Sequence, residues 1–315
     1  MYSIPILILT YNRPVKLKKL FKSLSKIKPY KIYINCDGPK NYNDIEKIEK
    51  IKNIIANVRL NSKILTNYNK KNLGVKHSPE QGIDWFFKKE KFGIILEDDC
   101  IPSQTFYKFC STLLIKYKKT NNIWAISGYN FKGKTNFGDG DYFISKYFLG
   151  WGWATWKRSW LKNDRNLTFW KKWKKENILS KFFSKNIEIR YWTKMIDKFY
   201  AKKIVSWDMF FLASMWKNNS FCILPNINMI KNIGFDSEAT HGINNKYFTP
   251  KFKNLLRDFK HPSSLNINVK AENQLFTEFF RGKNFLYPWR AFYIIKLFFI
   301  NPIFVLKKMK KFLKY

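Results

Sequence analysis

Short apolar runs alternating with helical stripes constrain this chain of 315 residues more than any other feature. Residues 4–9 read Ile-Pro-Ile-Leu-Ile-Leu, the unbroken pattern of a strand covered on both faces. Residues 92–96, Phe-Gly-Ile-Ile-Leu, read the same way, and Lys31-Ile32-Tyr33-Ile34-Asn35 reads as a further strand ended by the turn Cys36-Asp37-Gly38-Pro39. After Pro14, well placed to open a helix, Val15, Leu17, Leu20, Phe21 and Leu24 recur at helical spacing, as do Ile45, Ile48, Ile51 and Ile55 further on. A strand is expected around Ile64 and Leu65, and a helix from about 78 to 89. Ser103 is placed to cap a helix carrying Phe106, Phe109, Cys110, Leu113, Leu114 and Tyr117. Strands follow at 123–127 and 222–224, with a mixed stretch at 207–216 and no internal repeat. Such alternation builds βαβ units, hence an α/β fold with a mostly parallel sheet and helices on both faces.

Charge speaks to partners rather than to fold. Lys and Arg number 59 against 22 Asp and Glu, a formal net charge of +37, yet 45% of residues are hydrophobic and 19% aromatic, which excludes a disordered polycation. Only eight of the basic residues are Arg. Specific nucleic-acid readers lean on the two-pronged donor geometry of Arg, so a specific nucleic-acid partner is not expected. Cys36, Cys100, Cys110 and Cys222 form no CxxC pair, which excludes a zinc knuckle or a disulfide framework and fits a reduced, cytoplasmic setting. His77, His241 and His261 are too few for a His-rich metal site.

The apolar run at 4–9 passes directly into polar Thr10-Tyr11-Asn12-Arg13, whereas a secretory signal needs roughly 7–15 apolar residues behind a basic start. Residues 291–306 are apolar but contain Lys296 and Pro302, and crossing a bilayer takes about 20 apolar residues. From 281 to 315 there are nine basic residues and no acid, interleaved with Trp289, Phe292, Phe298, Phe299, Phe304 and Phe312. That mixture suits an element lying against anionic headgroups, and equally a C-terminal helix packed on the core. The first alternative sets the protein on the inner face of the cytoplasmic membrane.

The segment Glu97-Asp98-Asp99-Cys100-Ile101-Pro102-Ser103 follows the run at 92–96 directly. Ligands of open α/β sheets bind at the carboxyl ends of strands. Three consecutive carboxyl groups there repel one another, and strand alternation would put Glu97 and Asp99 on one side and Asp98 on the other. In a chain with so few acids this points to a divalent cation, Mn2+ or Mg2+, completed by a substrate diphosphate. A solvated acidic turn is the plain alternative.

The motifs Leu9-Thr10-Tyr11-Asn12-Arg13-Pro14, Tyr33-Ile34-Asn35-Cys36-Asp37-Gly38, Lys71-Asn72-Leu73-Gly74 and the stretch from Ile94 to Ser103 occur in that order. Gly150-Trp151-Gly152-Trp153, Ser206-Trp207-Asp208, and Asn232-Ile233-Gly234-Phe235 with Thr240-His241 follow. Together these resemble the GT-A-fold glycosyltransferases of the bacterial family-2-like kind, and are similar in pattern to the N-acetylglucosaminyltransferase I family. The resemblance spans about residues 4–245 and implies a nucleotide-sugar donor, with Asp37 beside the base and Thr10, Arg13, Lys76, Glu97 and Asp98 among the donor contacts. It implies that Asp99 ligates the metal with His241 near it, that Asp208 is the catalytic base, and that Trp151, Trp153 and Trp207 contact the acceptor. Asp236 and Glu238 are reserve acids in the His241 loop.

The domain reading is a GT-A domain at 1–245, interrupted by a basic helical insertion at about 161–203, and a basic aromatic extension at 246–315. The glycine-containing loop at 132–141 reads as a mobile lid. The leading function is metal-dependent inverting transfer from a nucleotide diphosphate sugar to a bacterial glycan or lipid-linked acceptor. The alternatives are a retaining GT-A enzyme and a non-enzymatic polyanion- or membrane-binding protein.

Overall fold

The computed structural model describes residues 2–235, 250–252, 254, 255, 257–285, 291, 292, 295, 298, 299 and 302. In chain order the first elements are β1 (Ile6–Thr10), α1 (Pro14–Leu24), β2 (Lys31–Cys36), α2 (Tyr42–Asn57), β3 (Lys63–Tyr68), α3 (Gly74–Lys89) and β4 (Phe92–Glu97). Then come β5 (Cys100–Pro102), α4 (Gln104–Lys116), β6 (Ile123–Ser127), β7 (Tyr142–Ser145), β8 (Trp153–Trp156) and α5 (Lys157–Trp160). The last are α6 (Trp170–Lys175), α7 (Asn186–Tyr200), α8 (Trp207–Lys217), β9 (Phe221–Pro225), β10 (Ile230–Asn232) and α9 (Val269–Gln274). The chain divides into two compact units, residues 1–169 with 198–268, and residues 170–197 with 269–315.

The first unit holds an eight-stranded sheet of order β3-β2-β1-β4-β8-β6-β9-β7. Pairs β3–β2, β2–β1, β1–β4 and β6–β9 are parallel, while β4–β8, β8–β6 and β9–β7 are antiparallel. The α/β class read from the sequence is therefore the one found. Alternate strand residues face opposite ways. Ile6, Ile8, Ile32, Ile34, Ile94 and Leu96 share one cluster with the buried faces of α1, α2 and α4. Each such fully buried aliphatic side chain contributes about 1.5–3 kcal/mol. On the opposite face Tyr33 meets Phe86 of α3, and Gly82 of α3 lies against Asn35 and Leu9, where a Cβ would collide.

The order 3-2-1-4 of the first strands sets the site. Neighbours β2 and β4 flank β1 on either side, and a crevice opens where connections diverge at the carboxyl ends. Register brings Thr10 level with Cys36 and Leu9 level with Glu97, so the three strands end together.

Several local expectations change. Helix α3 starts at Gly74 rather than near 78, because the Asp37 carboxylate accepts the backbone N–H groups of Leu73 and Gly74. Gly74 itself has φ +78, a turn that favours glycine. Residues 153–156, read as part of a tryptophan cluster, are a central strand. The stretch 207–216 is a helix buried on nearly all sides, which explains its lack of periodicity. The loop at 132–141 is tied down: Asn226 Nδ2 donates to the carbonyls of Phe137 and Gly140, both at 2.9 Å, and the Asp141 carboxylate accepts both terminal nitrogens of Arg257 at 2.7 Å. Nothing about this loop marks a lid.

The second unit joins part of the basic insertion to the C-terminal stretch. Trp170, Leu179, Phe183, Trp192, Ala271, Leu275 and Phe276 are buried. Trp192 meets Phe280 edge-on at 4.9 Å, and Tyr191 meets Phe276 likewise at 5.4 Å. Trp170 Nε1 donates to Asp197 at 2.9 Å, which settles the one polar atom of a buried ring. No helix among the described residues is long and apolar enough to cross a membrane.

Candidate active site

Glu97 closes β4, and Asp98 and Asp99 form the turn beyond it. Asp98 N donates to Leu9 O at 3.0 Å, prolonging the β1–β4 ladder by one residue. Its carboxylate accepts Thr10 Oγ1 at 2.8 Å and Tyr11 N at 3.4 Å. Arg13, at the start of α1, donates from Nη1 to Asp99 Oδ2 at 2.8 Å and lies 3.5 Å from Asp98 Oδ1. The alternation inferred for the triplet therefore fails. Pleating ends at Glu97, and in the turn both aspartates meet one guanidinium.

A second layer holds the turn. Strand β10 pairs antiparallel with β5, Asn232 opposite Cys100, and Ile233 N donates to Asp99 O at 2.8 Å. Gly234 then lies against the Asp99 carboxylate, where any Cβ would collide with Oδ2. Asp98 and Asp99 are buried and Glu97 is half-buried. Burial raises the Glu97 carboxyl to about 8, with the charges of Asp99, Asp98 and Asp208 adding to the rise and Arg13 opposing it. Asp98 is raised to about 6 by burial and Asp99, against Arg13, Thr10 and the Tyr11 amide.

Asp208 joins them from α8, close enough for its charge to act on Glu97. It is half-buried in the first turn, where the helix dipole favours an anion, and accepts Met209 N at 2.8 Å and the Ser206 hydroxyl. Ser206 and Met209 thus hold Oδ1 in place. Carboxylates of β4 and the turn beyond it face Arg13, and Asp208 of α8 stands close enough to act on Glu97.

The remaining candidates lie elsewhere or have other duties. Asp37 sits one loop away, its N–H donating to Thr10 O at 3.0 Å. Its carboxylate accepts five donors: the backbone N–H groups of Gly38, Leu73 and Gly74 and the side-chain amides of Asn69 and Asn72. That saturation shapes the loop and caps α3, leaving little capacity for a base. Lys76 Nζ donates to Arg165 O at 2.9 Å and stands 3.7 Å over the Phe210 ring, so its head group serves packing against α8. Trp153 and Trp207 are buried core residues with rings stacked at 5.3 Å, which withdraws them from acceptor contact. Trp151 alone of the three is half-buried, packed edge-on against Tyr129 at 4.7 Å and Phe235 at 5.5 Å. His241, Asp236 and Glu238 fall outside the described residues. His261 Nδ1 pairs with Tyr142 OH at 2.8 Å and His77 Nδ1 lies 3.2 Å from Glu80, both structural settings.

Among the described residues no group of three or more His, Cys, Asp or Glu side chains is arranged to hold a metal ion alone. A Mg2+ or Mn2+ ion bound by one or two carboxylates and substrate phosphates needs less than that. Asp99 and Asp98 supply hard oxygens, and Arg13 is the cation facing all three acids of the turn. The donor chemistry fits.

Residues missed in the sequence organise this corner from outside. Asp44 accepts Tyr11 OH at 2.5 Å, Asn12 Nδ2 at 2.7 Å, and the backbone N–H groups of Lys40 and Asn41, holding the loop that delivers Arg13. The spacing Asn41-x-x-Asp44 is a capping box that could have revealed it. For Asn69 no such local signal exists, since its partner Asp37 is distant in sequence.

No protein-family model and no curated protein matches this sequence, so the likeness to the N-acetylglucosaminyltransferase I family rests on the quoted motifs alone. Among solved structures, the galactosyltransferase LgtC in complex with donor and acceptor sugar analogs is 13% identical with a TM-score of 0.36, covering 70% of this chain and 73% of that one. The glycosyltransferase GlyE of Streptococcus pneumoniae TIGR4 is 11% identical at a TM-score of 0.33, covering 70% and 45%. An apo UDP-glucose pyrophosphorylase is 8% identical at 0.36, covering 72% and 93%. Scores of this size establish no kinship, and the site stands on its own residues.

Proposed function

We propose that the chain is an inverting glycosyltransferase that uses a nucleotide diphosphate sugar, UDP-linked, and glycosylates a hydroxyl of a bacterial surface glycan or lipid-linked acceptor. The observation that supports it is the gathering of Glu97, Asp98 and Asp99 beside Arg13 at the carboxyl ends of β1 and β4, with Asp208 acting on Glu97, in a chain of net charge +37. Carboxyls pushed up as Glu97 and Asp98 are, with Arg13 facing them, are costly unless a ligand completes them. Asp99, with Asp98, would hold Mn2+ or Mg2+, whose chemistry is to neutralise the charge of a leaving diphosphate.

This chain's own groups do the rest. Arg13 and Thr10 lie where the diphosphate end of a donor would meet the sheet. Asp208, with Oδ1 occupied by Met209 N and Ser206, takes the acceptor hydroxyl's proton as its oxygen attacks the anomeric carbon. The carbon–oxygen bond to the diphosphate breaks as the new glycosidic bond forms on the opposite face. Trp151 offers an aromatic surface to the acceptor. The test is transfer from a panel of UDP-, GDP-, CMP- and dTDP-sugars with Mn2+, and NMR of the product anomer. Full activity in EDTA would remove the metal, a retained anomer would remove Asp208 as base, and no transfer from any donor would remove the reading.

A further inference from the structure

The second unit carries chemistry that sugar transfer does not use. Ala291, Phe292, Ile295, Phe298, Phe299 and Pro302 are helical. At 100° per residue, positions 292, 295, 298 and 299 fall within about 120° of arc, one face of the helix. Its side chains are exposed: Phe292 is 61% exposed, Ile295 53%, Phe298 43% and Phe299 82%. Three phenylalanines and an isoleucine at such exposure are an interaction surface rather than scattered surface apolars.

Charge narrows what could cover it. The second unit has eighteen basic and five acidic residues, and from 281 onward nine basic and none acidic. A second copy of the chain would bring one lysine-rich surface against another. A nucleic-acid duplex would meet the lysines but keeps its bases stacked away from the phenylalanines, and Ile295 offers no ring for an unpaired base to stack on. An anionic bilayer satisfies both, with acyl chains for the rings and headgroups for the lysines. The apolar stretch 291–306 is sixteen residues long and interrupted by Lys296 and Pro302, short of the roughly 20 apolar residues that cross a bilayer, so the element is read as lying on the membrane rather than crossing it.

We infer that the face formed by Phe292, Ile295, Phe298 and Phe299 is a membrane-binding surface selective for anionic lipid. It delivers the chain to an interface and is independent of the proposed chemistry, because vesicle binding needs no donor sugar. The experiment is co-sedimentation of the full chain with vesicles of phosphatidylcholine, alone or with phosphatidylglycerol. Binding is expected about tenfold or more tighter to the anionic vesicles and weakened by added salt. Joint replacement Phe298→Ser and Phe299→Ser is expected to weaken binding at least tenfold, about 1.4 kcal/mol. The melting temperature should hold, because both rings are exposed.

Lys307→Gln, Lys308→Gln, Lys310→Gln and Lys311→Gln together should erase the preference for anionic lipid. Quenching of tryptophan fluorescence by bromine-labelled lipid reads insertion without any variant. Absence of quenching, unchanged binding by the double serine variant, or equal affinity for both vesicle types would overturn the inference. So would conversion of a dimer to a monomer by the serine changes, which would assign the face to a second copy.

Discussion

Two sets of buried carboxylates lie within a few residues of the same strand ends and behave in opposite ways. Asp37 and Asp44 are surrounded by donors, five for the first and four for the second, and Asp44 is held below the usual carboxylate range, its burial outweighed by bonds from Tyr11, Asn12, Lys40 and Asn41. Glu97 and Asp98 are pushed up, Glu97 by burial and the charges of Asp99, Asp98 and Asp208, and Asp98 by burial and Asp99. Arg13 opposes both, and Thr10 and the Tyr11 amide oppose the rise at Asp98. Asp37, Asp44 and Asp98 are buried and Glu97 is half-buried, so burial alone does not separate the sets. What differs is the neighbours: among the described residues the first set is surrounded by hydrogen-bond donors, whereas the second is gathered with other carboxyls.

The sharpest way to test that contrast is Asp208→Asn. It should lower kcat about 10²–10⁴-fold, the usual weight of a general base, while donor affinity measured by titration stays unchanged. Normal turnover would move the base elsewhere, with Glu238 next in line. On the complete side, Asp37→Ala orphans five donors and the cap of α3, and should cost about 2–5 kcal/mol in chemical denaturation without any donor present. A variant as stable as the parent would erase the distinction between the two sets.

Ligand binding should show the incompleteness directly. Mn2+ with UDP at about 100 times the dissociation constant should stabilise the protein by about 2.7 kcal/mol, and Asp99→Asn should abolish the gain. An equal shift in the variant would free Asp99 from the metal.

The smallest effect is on pH dependence. Glu97 and Asp98 hold protons in the folded state that the unfolded chain has already released, so between about pH 4 and 8 the folded state binds more protons and stability falls as pH rises. Asp44 works the other way, adding stability above the ordinary carboxylate range and losing it on acidification. Ligand-free protein should therefore melt a few degrees higher near pH 5.5 than near pH 8, and Glu97→Gln should flatten that slope. An unchanged slope in the variant would show the corner to be better compensated than its geometry indicates.

Strands β1, β2 and β4 and the helices between them were legible because each is a local pattern: an apolar run buried on both faces, or a stripe at helical period. Glu97–Asp99 stood out for the same reason, three acids directly behind a strand. Strand β8 was not legible, since four residues rich in tryptophan carry no period and the strand forms only through its antiparallel partners β4 and β6. The start of α3 was missed because its cap comes from Asp37, far back in the chain.

Residue order by itself determined the βαβ architecture, the placement of the acidic turn at a strand end, and the aromatic, lysine-rich character of the final stretch. Only the folded arrangement decided which carboxylates are ringed by amide donors and which are gathered with other carboxyls. Asp37 and Asp99 look alike as letters. One meets the amides of residues 69–74 and the other meets Arg13 and a glycine, because satisfaction of a buried charge depends on neighbours that the backbone brings from elsewhere.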